Sequence, residues 1–134
     1  MLRRLTACWL VVAVFASSSL AAIAAEAVFP FGSELMLDGK PLRGTKRLPS
    51  LSIGQDGTAV IDLWCGSVHG HADVGNGTIA ITPGGRNNAQ CDPGRIAGDD
   101  DLLDLLVHMT NWRRRGDVIE LSGPAALRFR LMTN

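Results

Sequence analysis

The sequence predicts an α+β domain: about eight short antiparallel strands in a partly closed barrel, with one helix inserted before the last three strands. Three observations lead to this fold class. Short alternating or apolar runs are separated by glycine-bearing turns. One segment breaks that alternation and repeats apolar residues at helical spacing. Connections inside each block of strands are short, which favours antiparallel pairing. Eight such strands would curl strongly, so the helix is expected to cover one opening or one face.

The first 24 residues are predicted to be a secretion signal. Arg3 and Arg4 give a basic start, residues 5–25 carry no charge, and small residues accumulate toward the end of that stretch. This three-part pattern is typical of a signal that is removed on export. Cleavage is expected after residue 24 and could fall as late as residue 27, which leaves 25–134 as a single domain. An uncleaved membrane anchor is the alternative, because about 20 residues can cross a bilayer as a helix.

Cleavage would change the charge balance, since it removes two arginines and no acidic residue. The remaining chain has 11 basic and 13 acidic residues, a formal charge of −2. Such a balance offers no general electrostatic attraction for nucleic acid or anionic lipid. No nucleic-acid partner is therefore expected, and membrane contact is expected only through the signal segment if it stays uncleaved. About 110 residues can bury a core without a metal, and no cofactor is expected.

Eight strands are predicted in the exported part of the chain. Glycine and Asx residues at 38–39, 55–57, 75–77 and 116–117 supply the turns that antiparallel hairpins require. The predicted strands are 34–37, 51–53, 58–63, 68–74, 78–82, 111–115, 118–121 and 127–131.

A helix of nine or ten residues is predicted between the fifth and sixth strands. Leu102, Leu105, Leu106 and Met109 recur at helical spacing behind the acidic run 99–101. An aspartate can cap the free N–H groups of a first turn, and further carboxylates favour the positive end of the helix dipole. The acidic run is therefore interpreted as the start of the helix rather than as a metal site.

Cys65 and Cys91 are the two cysteines that remain after cleavage. Exported proteins meet an oxidising compartment, so an even pair predicts one disulfide. Two buried free thiols are the alternative.

An ordered series of motifs runs from about residue 51 to residue 129. It comprises a cysteine, a glycine five residues later, an apolar-X-apolar strand, a second cysteine, the helix and a final hairpin. The series resembles the META domain, also called the HslJ-like domain, of bacterial envelope proteins. That resemblance implies an envelope-associated or stress-linked module without an established reaction, and it supplies no catalytic residues. The matching positions are Cys65, Gly70, Ile79, Ile81, Cys91, Trp112, Gly116, Ile119, Leu121, Leu127 and Phe129.

Three polar residues of the fourth strand form a candidate metal site. His69, His71 and Asp73 alternate along the strand and so share one face. Two imidazoles can hold zinc or copper if a third ligand approaches from a neighbouring strand. The residues between them resemble a core face, so the histidines are interpreted as a solvated outer face. A metal-binding protein or metal-dependent enzyme that uses His69 and His71 is the alternative.

Two tryptophans and one arginine are candidate binding residues. The parity of Trp64 and Trp112 allows both to line an opening of the barrel, although simple core packing would explain them equally. Arg114 shares the parity of Trp112 and is expected on the core side, where it needs a carboxylate partner or a route to solvent. Asp62, which is expected to share an inward parity with Val60 and Trp64, is one candidate partner. The run 113–115 as a whole is interpreted as charged protection of a sheet edge.

The remaining polar residues are accounted for by turns, caps and strand edges, and they form no recognised acid/base or nucleophile arrangement. The sequence therefore predicts a non-enzymatic exported protein that is either periplasmic or secreted, and the resemblance to the META domain implies a stress-linked envelope module. Its expected partner is an unidentified envelope component or protein, or it supports envelope integrity directly.

Overall fold

The computed structural model describes residues 27–87 and 90–133, so the predicted secretion signal lies outside the described residues. Eight strands and one helix occur in the predicted order. They are β1 (Glu34–Leu37), β2 (Ser50–Ile53), β3 (Thr58–Asp62), β4 (Ser67–Val74), β5 (Ile79–Asn87), α1 (Pro93–Val107), β6 (Asn111–Arg115), β7 (Val118–Ser122) and β8 (Ala126–Leu131).

The strands form one curled antiparallel sheet in the order β5-β4-β3-β2-β1-β8-β7-β6. Its two outer strands, β5 and β6, approach each other at one end. There the Ile79 amide donates to the Thr110 carbonyl at 3.0 Å, and the Trp112 amide donates to the Gly77 carbonyl at 3.1 Å. The sheet is thus a half-barrel with one end of its seam closed, and the predicted fold class is confirmed.

The core lies inside this curl. Period-2 alternation places apolar side chains on the inner face of every strand, and α1 adds two leucines from its buried side. The fully buried residues include Leu35, Leu51, Ile53, Ala59, Ile61, Leu63, Val68, Leu106, Ile119, Leu121 and Phe129.

The helix begins earlier than its leucine pattern predicts, and the prediction that residues 99–101 start it was wrong. α1 has 15 residues and its N-cap is Asp92, whose carboxylate accepts from the Arg95 amide at 3.0 Å. Pro93 follows at the first position, where its missing N–H costs nothing. The extra turns contain Gly94 and Gly98 and so lack the apolar periodicity that identifies the second half.

Gly98, in the first half of α1, lies where another part of the chain packs closely against the helix. A Cβ at this position would lie 2.6 Å from the Leu42 Cδ1 atom and 3.5 Å from the Trp64 ring. The absence of a side chain lets the loop between β1 and β2, residues 38–49, pack against the helix. That loop replaces the tight turn predicted at 38–39, and the Arg95 guanidinium fastens it by donating to the Gly44 carbonyl at 2.7 Å.

The segment before β1 closes the end of the barrel where β5 meets β6, which we call the Phe29 end. Phe29 is 4% exposed, and its ring packs edge-on against Trp112 with centroids 5.2 Å apart. The Gly32 amide donates to the Ile53 carbonyl at 2.8 Å, which ties the segment to β2. Residues 27–33 are therefore part of the folded unit.

Candidate functional site

A disulfide and a buried carboxylate join the helix to the sheet. Cys65 and Cys91 are bonded, with Cα atoms 6.0 Å apart, as the cysteine count predicts. The bond connects the β3–β4 turn to the residue preceding the N-cap of α1. It therefore fixes where the helix begins relative to the sheet.

Asp99 lies beside this disulfide and is fully buried. Its carboxylate accepts from the Gly66 amide at 2.9 Å and from the Cys65 amide at 3.3 Å. The Arg86 guanidinium lies 3.9 Å from the same carboxylate and also pairs with Asp100. A buried charge is tolerated only when it is paired and hydrogen-bonded, which these contacts achieve. Asp99 thus holds α1 to the β3–β4 turn instead of capping a helix.

The two candidate tryptophans lie at opposite ends of the barrel. Trp112 is 7% exposed at the Phe29 end, and its indole N–H donates to the Gly75 carbonyl at 2.9 Å. Trp64 follows β3 at the other end and packs half-buried against Gly98 of α1. The structure therefore does not bring them together at one opening.

Arg114 lies on the core side of β6, as its parity predicts, but its proposed pairing with Asp62 is wrong. Its guanidinium donates to the Gly116 carbonyl at 2.8 Å and to the Val28 carbonyl at 3.1 Å. Asp62 instead pairs with Arg47 at 3.0 Å. The inward residues of β3 are odd-numbered, so Asp62 faces outward and cannot reach the inner side of β6.

The candidate metal residues lie on the outer face of β4, where His69, His71 and Asp73 are all exposed. The His71 Nε2 atom lies 3.1 Å from the Asp73 carboxylate. Across the described ranges, no group of three or more His, Cys, Asp or Glu residues is arranged to hold a metal ion. The third ligand that a metal site at His69 and His71 requires is therefore not found among the described residues.

A nearby carboxylate at the β2–β3 turn is held by a local contact. Asp56 accepts from both the amide and the hydroxyl of Thr58 at 2.9 Å. These bonds favour the ionised form, so they hold the pKa of Asp56 below its ordinary value of 3.8.

The outer face of the last three strands carries a group of positive charges. β7 lies between β6 and β8, and their outward residues form two rows of three. Arginines occupy the four corners, and one glutamate and one valine lie between them. We call this the arginine surface: Arg113, Glu120 and Arg128 in one row, Arg115, Val118 and Arg130 in the other.

Only part of this charge is neutralised within the molecule. Arg113 pairs with Glu120 at 2.7 Å, and Arg130 pairs with Asp38 at 3.3 Å. The two remaining arginines of the surface are exposed and form no ion pair within residues 27–87 and 90–133. Five of the six residues line an open cavity of about 310 Å³. A guanidinium presents a fork of donors that matches carboxylate and phosphate oxygens, so this cavity suits an anionic group.

The sequence contained a signal for this surface that the interpretation as edge protection did not use. Arg113 and Arg115 alternate with inward residues on β6, and Arg128 and Arg130 do the same on β8. That β6 and β8 lie on either side of β7, so that their arginines share one face, could be recognised only from the strand order of the sheet. No comparable pattern marks Asp99 as buried, because it lies in a run of three aspartates that resembles the start of a helix.

The fold and these contacts define a class: a small β-rich domain whose described residues contain no recognised catalytic arrangement and whose most distinctive surface is cationic. A family model for the META domain matches residues 33–133, so the chain belongs to the META domain family, and the resemblance is confirmed. The META domain is not a known enzyme family.

No curated protein matches this chain. Among the described residues, no helix is long and apolar enough to span a bilayer.

Two solved structures share the fold. A DUF4847 family protein from Bacteroides vulgatus aligns with a TM-score of 0.51 at 13% identity, over 61% of this chain and 57% of that one. This chain thus spans little more than half the length of that relative. A second protein, solved by NMR, aligns with a TM-score of 0.55 at 15% identity, over 74% of this chain and 88% of that one. At these identities the comparison supports the architecture alone.

Proposed function

We propose that this chain is a non-enzymatic domain, exported to the periplasm or secreted, that binds an anionic component of the bacterial envelope through the arginine surface. The observation that carries the proposal is the presence of four arginines on one exposed face with a single glutamate among them. A stress-linked role in supporting envelope integrity is the wider function that this binding would serve.

The charge distribution supports binding better than edge protection. Edge protection needs charges only on the outermost strand, here β6. Arg128 and Arg130 lie on β8, which is flanked by β7 and β1 in the interior of the sheet. Their outward guanidinium groups protect no edge. Arg130 is paired with Asp38, but Arg128 has no ion pair among the described residues, so its outward charge requires another reason. Recognition of an anion supplies that reason.

Retention on phosphocellulose tests the proposal. The protein purified after expression of the full chain is compared with a double variant, Arg115→Ala with Arg128→Ala. The matched control is Arg43→Ala with Lys46→Ala, which removes two exposed positive charges from the loop between β1 and β2. We expect the first variant to elute at clearly lower salt and the control to elute with the wild type. Equal shifts in both variants would show that net charge alone controls retention and would overturn the proposal.

Export is tested by intact mass. We expect the mature protein to lack the first 24 to 27 residues, because the small residues that precede Glu26 fit a cleavage site. Recovery of the full-length mass from a membrane pellet would contradict cleavage and favour the anchor.

A further inference from the structure

We infer that the anionic component is a phospholipid headgroup surface, and that the arginine surface docks the domain onto the membrane with the Phe29 end close to the bilayer. This inference rests on the proposed function and deepens it by naming the partner. It depends on three observations: the spacing of the arginines, the position at which the chain enters the domain, and the distribution of exposed apolar side chains.

The arginines are spread out in a way that suits several separate anions. Arg113 and Arg115 are two positions apart on β6, a separation of about 7 Å. The arginines of β8 repeat that separation, and β7 holds the two pairs about 10 Å apart. The four backbone positions form the corners of a rectangle, and the two arginines without an ion pair among the described residues, Arg115 and Arg128, lie at opposite corners, so they can contact separate headgroups. Each arginine near an anionic leaflet strengthens binding about fivefold.

The chain enters the domain beside this surface. Arg114, which lies between Arg113 and Arg115, holds the Val28 carbonyl at 3.1 Å, and Phe29 is buried next to it. Residues 5–25 carry no charge. Val28 is three positions after Ala25, a reach of about 10 Å. If the uncharged segment stays uncleaved in a bilayer, the β6–β7 turn and Arg115 would therefore lie close to headgroups.

Exposed apolar side chains cluster at the same end. In the described ranges the exposed large hydrophobic residues are Val28 at 71%, Met132 at 45% and Val107 at 38%. Val28 precedes Phe29, and the Met132 amide donates to the Glu34 carbonyl at the start of β1. Met132 thus follows Arg130 by two positions, and the Val28 carbonyl is held by Arg114, the chain neighbour of Arg115. Apolar side chains next to arginines are the combination that favours a membrane interface.

A protein partner fits the surface less well. Specific protein interfaces are built around a desolvated apolar centre with charge at the rim. In the arginine surface the only apolar member is Val118, which is half-buried, and its neighbour in the centre is Glu120. Positive charge with so little apolar area beside it is suited to headgroups.

Vesicle sedimentation tests the inference. The protein is mixed with vesicles of phosphatidylglycerol and phosphatidylcholine, or of phosphatidylcholine alone, at about 0.05 M and about 0.5 M salt, where screening differs strongly. We expect binding to the anionic vesicles only, weakened at high salt. Arg115→Ala with Arg128→Ala should weaken it more than tenfold, and Arg43→Ala with Lys46→Ala less than twofold.

A conservative variant distinguishes headgroups from a shaped protein site. Arg115→Lys with Arg128→Lys keeps both charges but loses the guanidinium forks, so it should retain vesicle binding within about threefold. Thermal unfolding confirms that each variant is folded. Absence of binding to anionic vesicles, with phosphocellulose retention still dependent on Arg115 and Arg128, would overturn the lipid partner and leave an acidic protein as the ligand. If phosphocellulose retention also does not depend on Arg115 and Arg128, the proposed function is overturned as well.

Discussion

Charged side chains have opposite environments in two regions of the described structure: buried and paired in one, exposed and without internal partners in the other. Beside the disulfide, Asp99 is fully buried, and two backbone amides and the nearby Arg86 guanidinium compensate its charge. On the outer face of β6 to β8, Arg115 and Arg128 are exposed and have no counter-ion among the described residues. Internal pairing indicates a structural role, and charges left without internal partners are available for a ligand. The two regions should therefore respond differently to substitution.

The largest effect is expected at the disulfide. Cys65→Ala combined with Cys91→Ala should lower the free energy of unfolding by about 2–5 kcal/mol, because the unfolded chain is no longer constrained. Urea denaturation measures this, and phosphocellulose retention of the folded variant should not change. Thiol titration of the denatured wild type without reductant should find no free cysteine, and two free thiols would contradict the assignment.

Asp99→Ala should cost about 3 kcal/mol, because the amides of Cys65 and Gly66 would lose their acceptor in a buried site and the nearby Arg86 guanidinium would lose a counter-charge. Asp101→Ala is the matched control, since Asp101 is exposed on the same helix. We expect the control to change stability by less than about 0.5 kcal/mol. Similar losses of stability for the two variants would contradict the expected difference between a buried and an exposed carboxylate.

The arginine surface should contribute little to folding. Arg115→Ala with Arg128→Ala should leave the free energy of unfolding within about 0.5 kcal/mol of the wild type for each residue, because no internal ion pair is lost. A rise in stability would fit equally well, since repulsion among the arginines would be relieved. A loss of more than about 2 kcal/mol would assign these residues a structural role and weaken the comparison.

The smallest effect concerns Asp56, an exposed carboxylate with a local partner. Its pKa is held below 3.8 by the Thr58 hydrogen bonds, so its stabilising contribution is present above pH 3.8 and is lost as the pH falls through the lower folded value. Thr58→Ala should raise the pKa of Asp56, which NMR titration of the carboxyl carbon can follow. Loss of the hydroxyl alone should raise it only in part, because the backbone bond is the larger cause. No change in the titration would show that the hydroxyl bond is unimportant.

Much of the fold could be predicted because its signals are local. Alternation identified β3, β4 and β7 as strands and gave the inner faces of β4 and β7. For β3 the expected inward parity of Val60, Asp62 and Trp64 was wrong, because Ala59 and Ile61 are the buried residues. The family motifs also indicated the order of the elements. The start of α1 could not be found by periodicity, because Gly98 is selected by the approach of Leu42 and Trp64 from distant parts of the chain. Tertiary packing overrode helix propensity there.

The candidate site was harder to predict because it depends on which strands are neighbours. Asp99 contacts residues 33 and 34 positions earlier in the chain, and a run of three aspartates gives no sign that one of them is buried. The near-neutral total charge also concealed how unevenly the charge is distributed. The arginines of β6 and β8 form one surface only because β7 separates them, which neither composition nor spacing reveals.

The position of Phe29 shows where the smallest independent unit of this chain begins. The family match begins at residue 33, four residues after a side chain that packs edge-on against Trp112. A fragment trimmed to the matched range would uncover that indole and remove the carbonyl that Arg114 holds. We therefore expect a fragment that begins at residue 33 to be less stable than one that begins at Val28, and an affinity tag at this terminus should leave every residue from Val28 onward in place.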